Sequence, residues 1–502
     1  MTDSHGIPLI DRAEDHQGRT ALVTADGAFT YRDLLDASGK VATRLLDTAA
    51  DLREARVAFL TPPDFSYAAV QWGVWRAGGV AVPLATMHPR PELEHVVGDS
   101  AAAILIAHPQ YAPLLRPIAE AQGTRFLLTT DLLTGSAGAL PSVDPSRRAM
   151  VIYTSGTTGK PKGSVTTHLN IRAQVAALAS AWEWRADDYI LNVLPLHHVH
   201  GIINVLACAL WSGATCETLP RFDPDEVWER FRQGRPTLFM AVPTIYARLA
   251  AAWEAAAPER QRILTGACNG LRLMVSGSAA LPESMLERWR KISGHVLLER
   301  YGMTEIGMAL SNPLHGERLP GVVGTPLDGV ATRVVDEAGA DVPPGTPGEL
   351  LVQGPGVFLE YWGNPKATRD AFQDGWFRTG DIVIVENGAY RILGRNSVDI
   401  IKTGGFKVSA LEVEDVLLGH PSVDECAVVG IEDPEWGQRV CAAMVLKPEA
   451  SAGFESFRDW AKERLAIYKV PSRILLVEQL PRNAMGKVLK ADVTTMFHVE
   501  EK

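Results

Sequence analysis

The feature that most restricts the fold of this chain is an alternation in its first half of a short apolar run, a turn and a helix-patterned stretch. From residue 20 to about 130, runs such as "RVAFL", "AAILIAH" and "RFLLTT" alternate with Ala-rich segments such as "SYAAVQWGVWRAGG". Strands joined through helices run parallel, because each helix carries the chain back to the same end of the sheet. The alternation therefore predicts parallel sheet with helices on its faces. "PTLFMAVPTIYARLAAAW" and "LRLMVSGSAALPESMLERWRKI" repeat the unit as buried strand, Pro-containing turn and amphipathic helix.

After about residue 320 the texture changes to short strands and Gly/Pro turns, as in "VVGTPLDGVATRVVDEAG", "GELLVQGPG" and "GAYRILG". Past Arg395 small helices and strands resume in "ALEVEDVLLGH", "VDECAVVGI", "RVCAAMVL" and "FRDWAKERLA", which reads as a compact α+β unit of about a hundred residues. At 502 residues the chain exceeds what one hydrophobic core serves, so at least two domains are expected. The predicted class is α/β plus α+β. Residues 1–394 form the large unit, with about 320–394 as a β-rich subdomain, and 399–502 form the small one.

Composition removes several function classes. A hydrophobic content of 46% with 22% charged residues is ordinary for a globular protein and excludes a disordered or fibrous chain. The net charge of -10 lacks the broad basic footprint that a phosphate backbone requires, so nucleic acid is not an expected partner. Five scattered cysteines without a CxxC pair predict reduced core thiols and no zinc site. No apolar run reaches 18 residues, and no basic segment followed by an apolar stretch opens the chain. A soluble cytoplasmic protein is expected, or one in the mitochondrial matrix where a transit peptide has been removed.

The strongest local signal is "VIYTSGTTGKPKGS" at 151 to 164, an apolar strand end running into hydroxyls, glycines and two lysines. Glycines let backbone amides approach an anion closely, and Lys162 would neutralise charge, so the loop suits phosphate. It is not a Walker A loop, since GxxxxGK[ST] cannot be laid on it. Six further blocks follow in order: "LPLHHVHG" at 194 to 201, "SGSAAL" at 276 to 281, "YGMTE" at 301 to 305, "WFRTGD" at 376 to 381, "GRNSVDIIKTGG" at 394 to 405 and "PRNAMGK" at 481 to 487. With these seven blocks the chain resembles, over nearly its whole length, the adenylate-forming superfamily of acyl-CoA synthetases, luciferases and peptide-synthetase adenylation domains.

The resemblance implies an acid–thiol ligase that makes an acyl-adenylate from ATP, releases pyrophosphate, and then transfers the acyl group to CoA. It assigns ATP binding to Thr154, Ser155, Gly156, Thr157, Thr158, Lys162, Ser278, Tyr301, Thr304, Asp381, Arg395 and Lys487. Thr304, Glu305 and Lys487 would be catalytic, with Glu305 the Mg2+ ligand; a hard carboxylate sharing the ion with ATP phosphates suits magnesium. Asp381 in its Thr-Gly-Asp turn can accept bonds from ribose hydroxyls, and Tyr301 offers a ring face to adenine. Lys487 would stabilise charge developing between carboxylate and α-phosphate. Between the two steps the small domain would turn about a hinge at 395–398, presenting the "KTGGFKVS" loop with Lys402, Gly404, Gly405 and Phe406 to CoA. Many relatives carry Asp or Lys two residues after the arginine of this hinge. Here the residue is Ser397, which leaves the hinge position inferred.

Arg300, immediately before "YGMTE", stands where generic relatives place a small or neutral residue. Three uses present themselves: an ion pair with Glu299, a phosphate contact, or a planar fork for a second substrate carboxylate. The third would reject monocarboxylic acids, because an unpaired buried guanidinium costs about 2 to 5 kcal/mol. His198, His200, Ser276, Arg300 and Met308 are the expected acyl-site residues. "LPLHHVHG", "VSGSAALP" and "LLERYGMTE" together are similar to malonyl-CoA synthetases, which implies malonate as substrate, with methylmalonate second. A ligase for another short-chain or aromatic acid, or a standalone enzyme loading a carrier protein, is the alternative reading.

Overall fold

A computed structural model describes residues 6–154, 161–396, 398–404, 406–448, 450, 453–482 and 486–499. Ser155, Gly156, Thr157, Thr158, Ser397 and Gly405 lie outside the described residues.

Three sheets organise the chain. In the first, Val80–Pro83, Arg56–Leu60, Ile104–Ala107 and Arg125–Leu128 are parallel neighbours, and Arg148–Thr154 joins them before turning back antiparallel as Lys162–Thr167. The second has fourteen strands and changes character midway. Leu238–Ala241, Leu273–Ser276 and Leu298–Met303 run parallel, after which Gly307–Ser311 folds back antiparallel. Strands from the 320–394 region continue that antiparallel half through Val322–Pro326, so the β-rich region extends the large sheet and does not stand alone. The parallel strands Val80–Pro83, Ile104–Ala107, Leu238–Ala241 and Leu273–Ser276 are buried at every residue, as expected when helices cover both faces.

The third sheet is built from residues 400 onward: Ile400–Thr403 and Phe406–Ser409 form a hairpin, and Val423–Asp433 pairs with Gly437–Leu446. Helices Ala410–Leu418 and Phe454–Lys462 pack on it, giving an α+β unit with its own apolar core around Val413, Val428, Met444 and Phe457. Among the contacts that seat this unit on the large one are two hydrogen bonds and the Lys407–Glu337 ion pair at 2.8 Å. Asp415 accepts the backbone N–H of Glu283 at 3.0 Å, and Ser409 donates to the carbonyl of Leu393 at 2.5 Å.

None of the five cysteines forms a disulfide, and four of them are buried; burial pushes the Cys268 thiol up to about 12. Among the described residues no helix is long and apolar enough to cross a membrane.

Candidate active site

The site lies where the large sheet passes from parallel to antiparallel, at the ends of the strands Leu273–Ser276 and Leu298–Met303. Crevices beyond the carboxyl ends of parallel strands are the usual ligand positions of α/β sheets.

The half expected to take nucleotide is set by a hairpin. Trp376–Glu386 and Ala389–Arg395 are joined by Asn387-Gly388, both with positive φ (52° and 81°), the residues favoured by a tight two-residue turn. From that turn the register would pair Asp381 one residue short of Arg395. A bulge between Ile382 and Val383 takes up the difference and sets Asp381 opposite Arg395. Their side chains meet at 3.3 Å, and Tyr301 donates its hydroxyl to Asp381 at 2.5 Å. Burial raises the Asp381 carboxyl pKa, while the Arg395 guanidinium and the Tyr301 bond oppose the shift. The spacing between "TGD" and "GR" is thus a cross-strand pair.

Lys487 reaches this group from the small unit. By surface area it is exposed, yet protein crowds it enough that desolvation lowers its pKa. Arg395 acts in the same direction, and Asp399 and Asp381 oppose. Chain segments about a hundred residues apart therefore share one electrostatic environment.

Glu305 is 5% exposed and accepts the Tyr361 hydroxyl at 2.8 Å. Thr304 beside it is also buried. Burial raises the Glu305 pKa, with Tyr361, Arg395 and Lys162 opposing. The Lys162 ammonium stands 5.1 Å from the centre of the Tyr361 ring, and Thr154 pairs with Lys162 across the strands that flank the phosphate-loop residues. Tyr361 was not singled out from the sequence; its pairing with the strand that carries Lys162 brings it here, and no local motif marks that. Among the described residues no group of three or more His, Cys, Asp or Glu could hold a metal. A lone buried carboxylate is nonetheless what magnesium asks of a protein when phosphates supply its other ligands.

The half expected to take the acid is built around Arg300. The residue is 4% exposed, and its Nη2 reaches Ser278 Oγ at 3.4 Å, while Nε has no hydrogen-bond partner. Burial alone lowers its pKa to about 9. Of the three uses, the ion pair with Glu299 does not form: Glu299 accepts the N–H of Gly321 at 3.2 Å instead. Gly277 makes the room, since a Cβ there would stand 2.4 Å from the Arg300 guanidinium carbon. His200 Nδ1 is 3.1 Å from Ser278 Oγ, and the ring is held neutral by burial, with Arg300 and His198 pushing the same way. Burial and the facing His88 likewise lower His198, to about 4. Among the described residues Ser276 Oγ and His200 Nε2 are buried without hydrogen-bond partners, so the polar groups around Arg300 have hydrogen-bonding capacity to spare. Ser278 holds a left-handed backbone (φ 68°), a strained state for a non-glycine residue and common at binding sites. Met308 is buried opposite Gly302, one residue along from Tyr301. His200 opens a buried π-helix, His200–Ala207, a distortion frequent at functional sites that no sequence period announced.

The expected CoA residues lie apart from these groups. Lys402, Gly404 and Phe406 are on the exposed hairpin of the small unit. There the Lys402 N–H meets Gln438, Gly404 packs under Trp436, and Phe406 stacks on Tyr468 at 4.1 Å.

The family profile described as "AMP-binding enzyme" matches residues 9–362, and that described as "AMP-binding enzyme C-terminal domain" matches 412–487. The chain belongs to this family, has its adenylate-forming fold, and is an acyl-CoA ligase by class. It is 48% identical to the mitochondrial malonate–CoA ligase ACSF3 of Homo sapiens, over 98% of this chain and 92% of that protein. It is 41% identical to a malonate–CoA ligase of Arabidopsis thaliana, over 92% and 81% respectively. The crystal structure of ATP-bound MatB from Rhodopseudomonas palustris superimposes with a TM-score of 0.91 at 33% identity, covering 99% of this chain and all of that one.

Proposed function

We propose that the protein is a malonate:CoA ligase forming AMP, with methylmalonate a second substrate. The observation that carries this reading is the Arg300 guanidinium, buried beside Ser278 and without a carboxylate partner among the described residues. Only a dicarboxylic acid can bring a carboxylate to the reacting centre and leave a second one for that cation. The names of the relatives agree.

In the proposed reaction one malonate carboxylate attacks the α-phosphorus of ATP, and the bond to the bridging oxygen of pyrophosphate breaks. The CoA thiol then attacks the acyl carbon, AMP leaves with the electron pair, and the thiol proton is released. Arg300 holds the carboxylate that does not react, with His198, His200 and Ser276 around it, Met308 as apolar wall, and Ser278, expected from the sequence to bind ATP, in contact with both Arg300 and His200. Asp381 and Arg395 hold the ribose, Tyr301 lies against adenine, and Thr154, Ser155, Gly156, Thr157, Thr158 and Lys162 cradle phosphates. Glu305, with Thr304 beside it, would hold Mg2+, which supplies charge neutralisation at the phosphates. Lys487 places its ammonium between attacking carboxylate and α-phosphate, the kind of preorganised charge whose loss costs about 3 kcal/mol or more. Lys402, Gly404, Gly405 and Phe406 serve CoA after the small domain, residues 399–502, turns about 395–398. As an enzyme of small soluble substrates it works in an aqueous compartment, the cytoplasm or a mitochondrial matrix.

Pyrophosphate exchange with malonate, methylmalonate, succinate, butyrate, acetate and benzoate tests the substrate. Malonate should lead, and Arg300→Ala should cut malonate activation far more than butyrate activation. Equal exchange with acetate or benzoate would sink the dicarboxylate reading.

A further inference from the structure

Lys490 follows Lys487 by three residues and begins the helix Lys490–Val499. Its ammonium lies 2.6 Å from Asp399 Oδ1 and 2.8 Å from Glu414 Oε1, and the three side chains are only 12%, 16% and 14% exposed. A buried cation between two carboxylates is costly to break, because removing it leaves two charges without a partner. Each carboxylate is also tied to the backbone. Glu414 accepts the N–H of Val428 at 2.7 Å, and Asp399 uses its second oxygen to accept the N–H of Arg395 at 3.0 Å.

Asp399 thereby grips the chain on both sides of the short link proposed as the hinge. On one side it holds the backbone of Arg395, whose guanidinium pairs with Asp381. On the other it holds the base of the segment that carries Lys487, where Arg482 pairs with Val488 and the Leu489 N–H meets the Pro481 carbonyl at 2.9 Å. Val398 and Asp399 N–H groups both close on the Arg395 carbonyl, at 3.1 and 2.8 Å, so a backbone rotation within the link would carry Arg395 away from Asp399.

We propose that Lys490 is a positioning residue for the adenylation step: through Asp399 it locks the base of the segment that carries Lys487 to the hinge beside Arg395, and so fixes where Lys487 stands for that step. This rests on the reading of Lys487 as the adenylation lysine. Glu414 keeps Lys490 within the small unit, and Asp399 makes its placement depend on the hinge. A merely structural ion pair would matter equally to both half-reactions; a positioning pair matters to the one in which Lys487 acts.

The test compares full-length Lys490→Met, Lys490→Arg, Asp399→Asn and the Met/Asn double variant. Two assays are used: pyrophosphate exchange with malonate, and thioester formation from a chemically supplied acyl-adenylate with CoA. Lys490→Met should lower kcat of exchange by about 10- to 100-fold, the scale of a misplacement near 1 Å, with KM for ATP within about two-fold. Thioester formation from supplied adenylate should hold, Lys490→Arg should recover most of the exchange, and the double variant should be no worse than Lys490→Met. Both half-reactions falling together, or exchange unchanged, would overturn the proposal. Lys487→Ala run alongside separates the premises. Exchange surviving in that variant defeats the reading of Lys487, whereas exchange lost there but intact in Lys490→Met defeats only the positioning role.

Discussion

At the scale of single residues, Arg300 and Glu299 show how adjacent positions on one strand can carry opposite charges without meeting. Alternation along a strand sends neighbouring side chains to opposite faces, so the pair adjacent in sequence is not a pair in space. "ERYGMTE" therefore displayed its chemistry legibly and concealed its geometry. Nothing local says that Gly277 is the vacancy into which the guanidinium fits. Gly277→Ala should cost about 10- to 100-fold in kcat/KM for malonate by displacing Arg300, while butyrate changes little. Steady-state kinetics with both acids decides it, and equal losses would locate the damage elsewhere. Glu299 makes a separate prediction about stability. Burial raises its carboxyl from 4.5 to about 8. Between those values the folded chain keeps a proton that the unfolded chain has released, so stability falls as pH rises across the window. Glu299→Gln carries no such proton. Its melting temperature should match the parent near pH 5 and exceed it increasingly toward pH 8.5; parallel melting curves would refute this.

At the scale of elements, the strands and helices were largely legible. "LRLMVSGSAALPESMLERWRKI" gives the strand Leu273–Ser276 and the helix Glu283–Ser293 as its apolar periods predict. "GAYRILG" likewise gives a strand, Ala389–Arg395. What escaped are features without a local period: the π-helix at His200–Ala207, the bulge that aligns Asp381 with Arg395, and the approach of Tyr361 to Glu305. Tyr361 meets Glu305 from 56 residues away, and the other two are departures from the regular period itself. The helix Glu283–Ser293 is a further case. Its N-cap position holds Pro282, which has no side-chain acceptor, and the cap is supplied by Asp415 from the small unit. A cap is worth about 1 kcal/mol, a factor of about five in the balance between domain orientations. Asp415→Ala should slow pyrophosphate exchange by about that factor and leave turnover of supplied acyl-adenylate unchanged or faster. Equal slowing of both steps would assign Asp415 to folding instead.

At the scale of the whole molecule, the site draws on both halves of the large sheet and on the small unit beyond it. Thr154 and Lys162 come from the first sheet, Ser276 and Arg300 from the second, Glu305 from the turn between two of its strands, and Asp381 and Arg395 from its antiparallel extension. The seven blocks could be read in order, yet their convergence could not, because sheet order differs from chain order: Leu238–Ala241 lies beside Tyr189–Asn192, with Thr215–Thr218 on the far side. Chain order has its own meaning during synthesis, which runs from the first residue to the last and lets early domains fold while later ones are still being made. Every group proposed to hold nucleotide or acid is translated before Lys487. A growing chain would thus assemble the cradle for its substrates while lacking the ammonium that joins them, and competence to consume ATP would arrive only as the small unit is added.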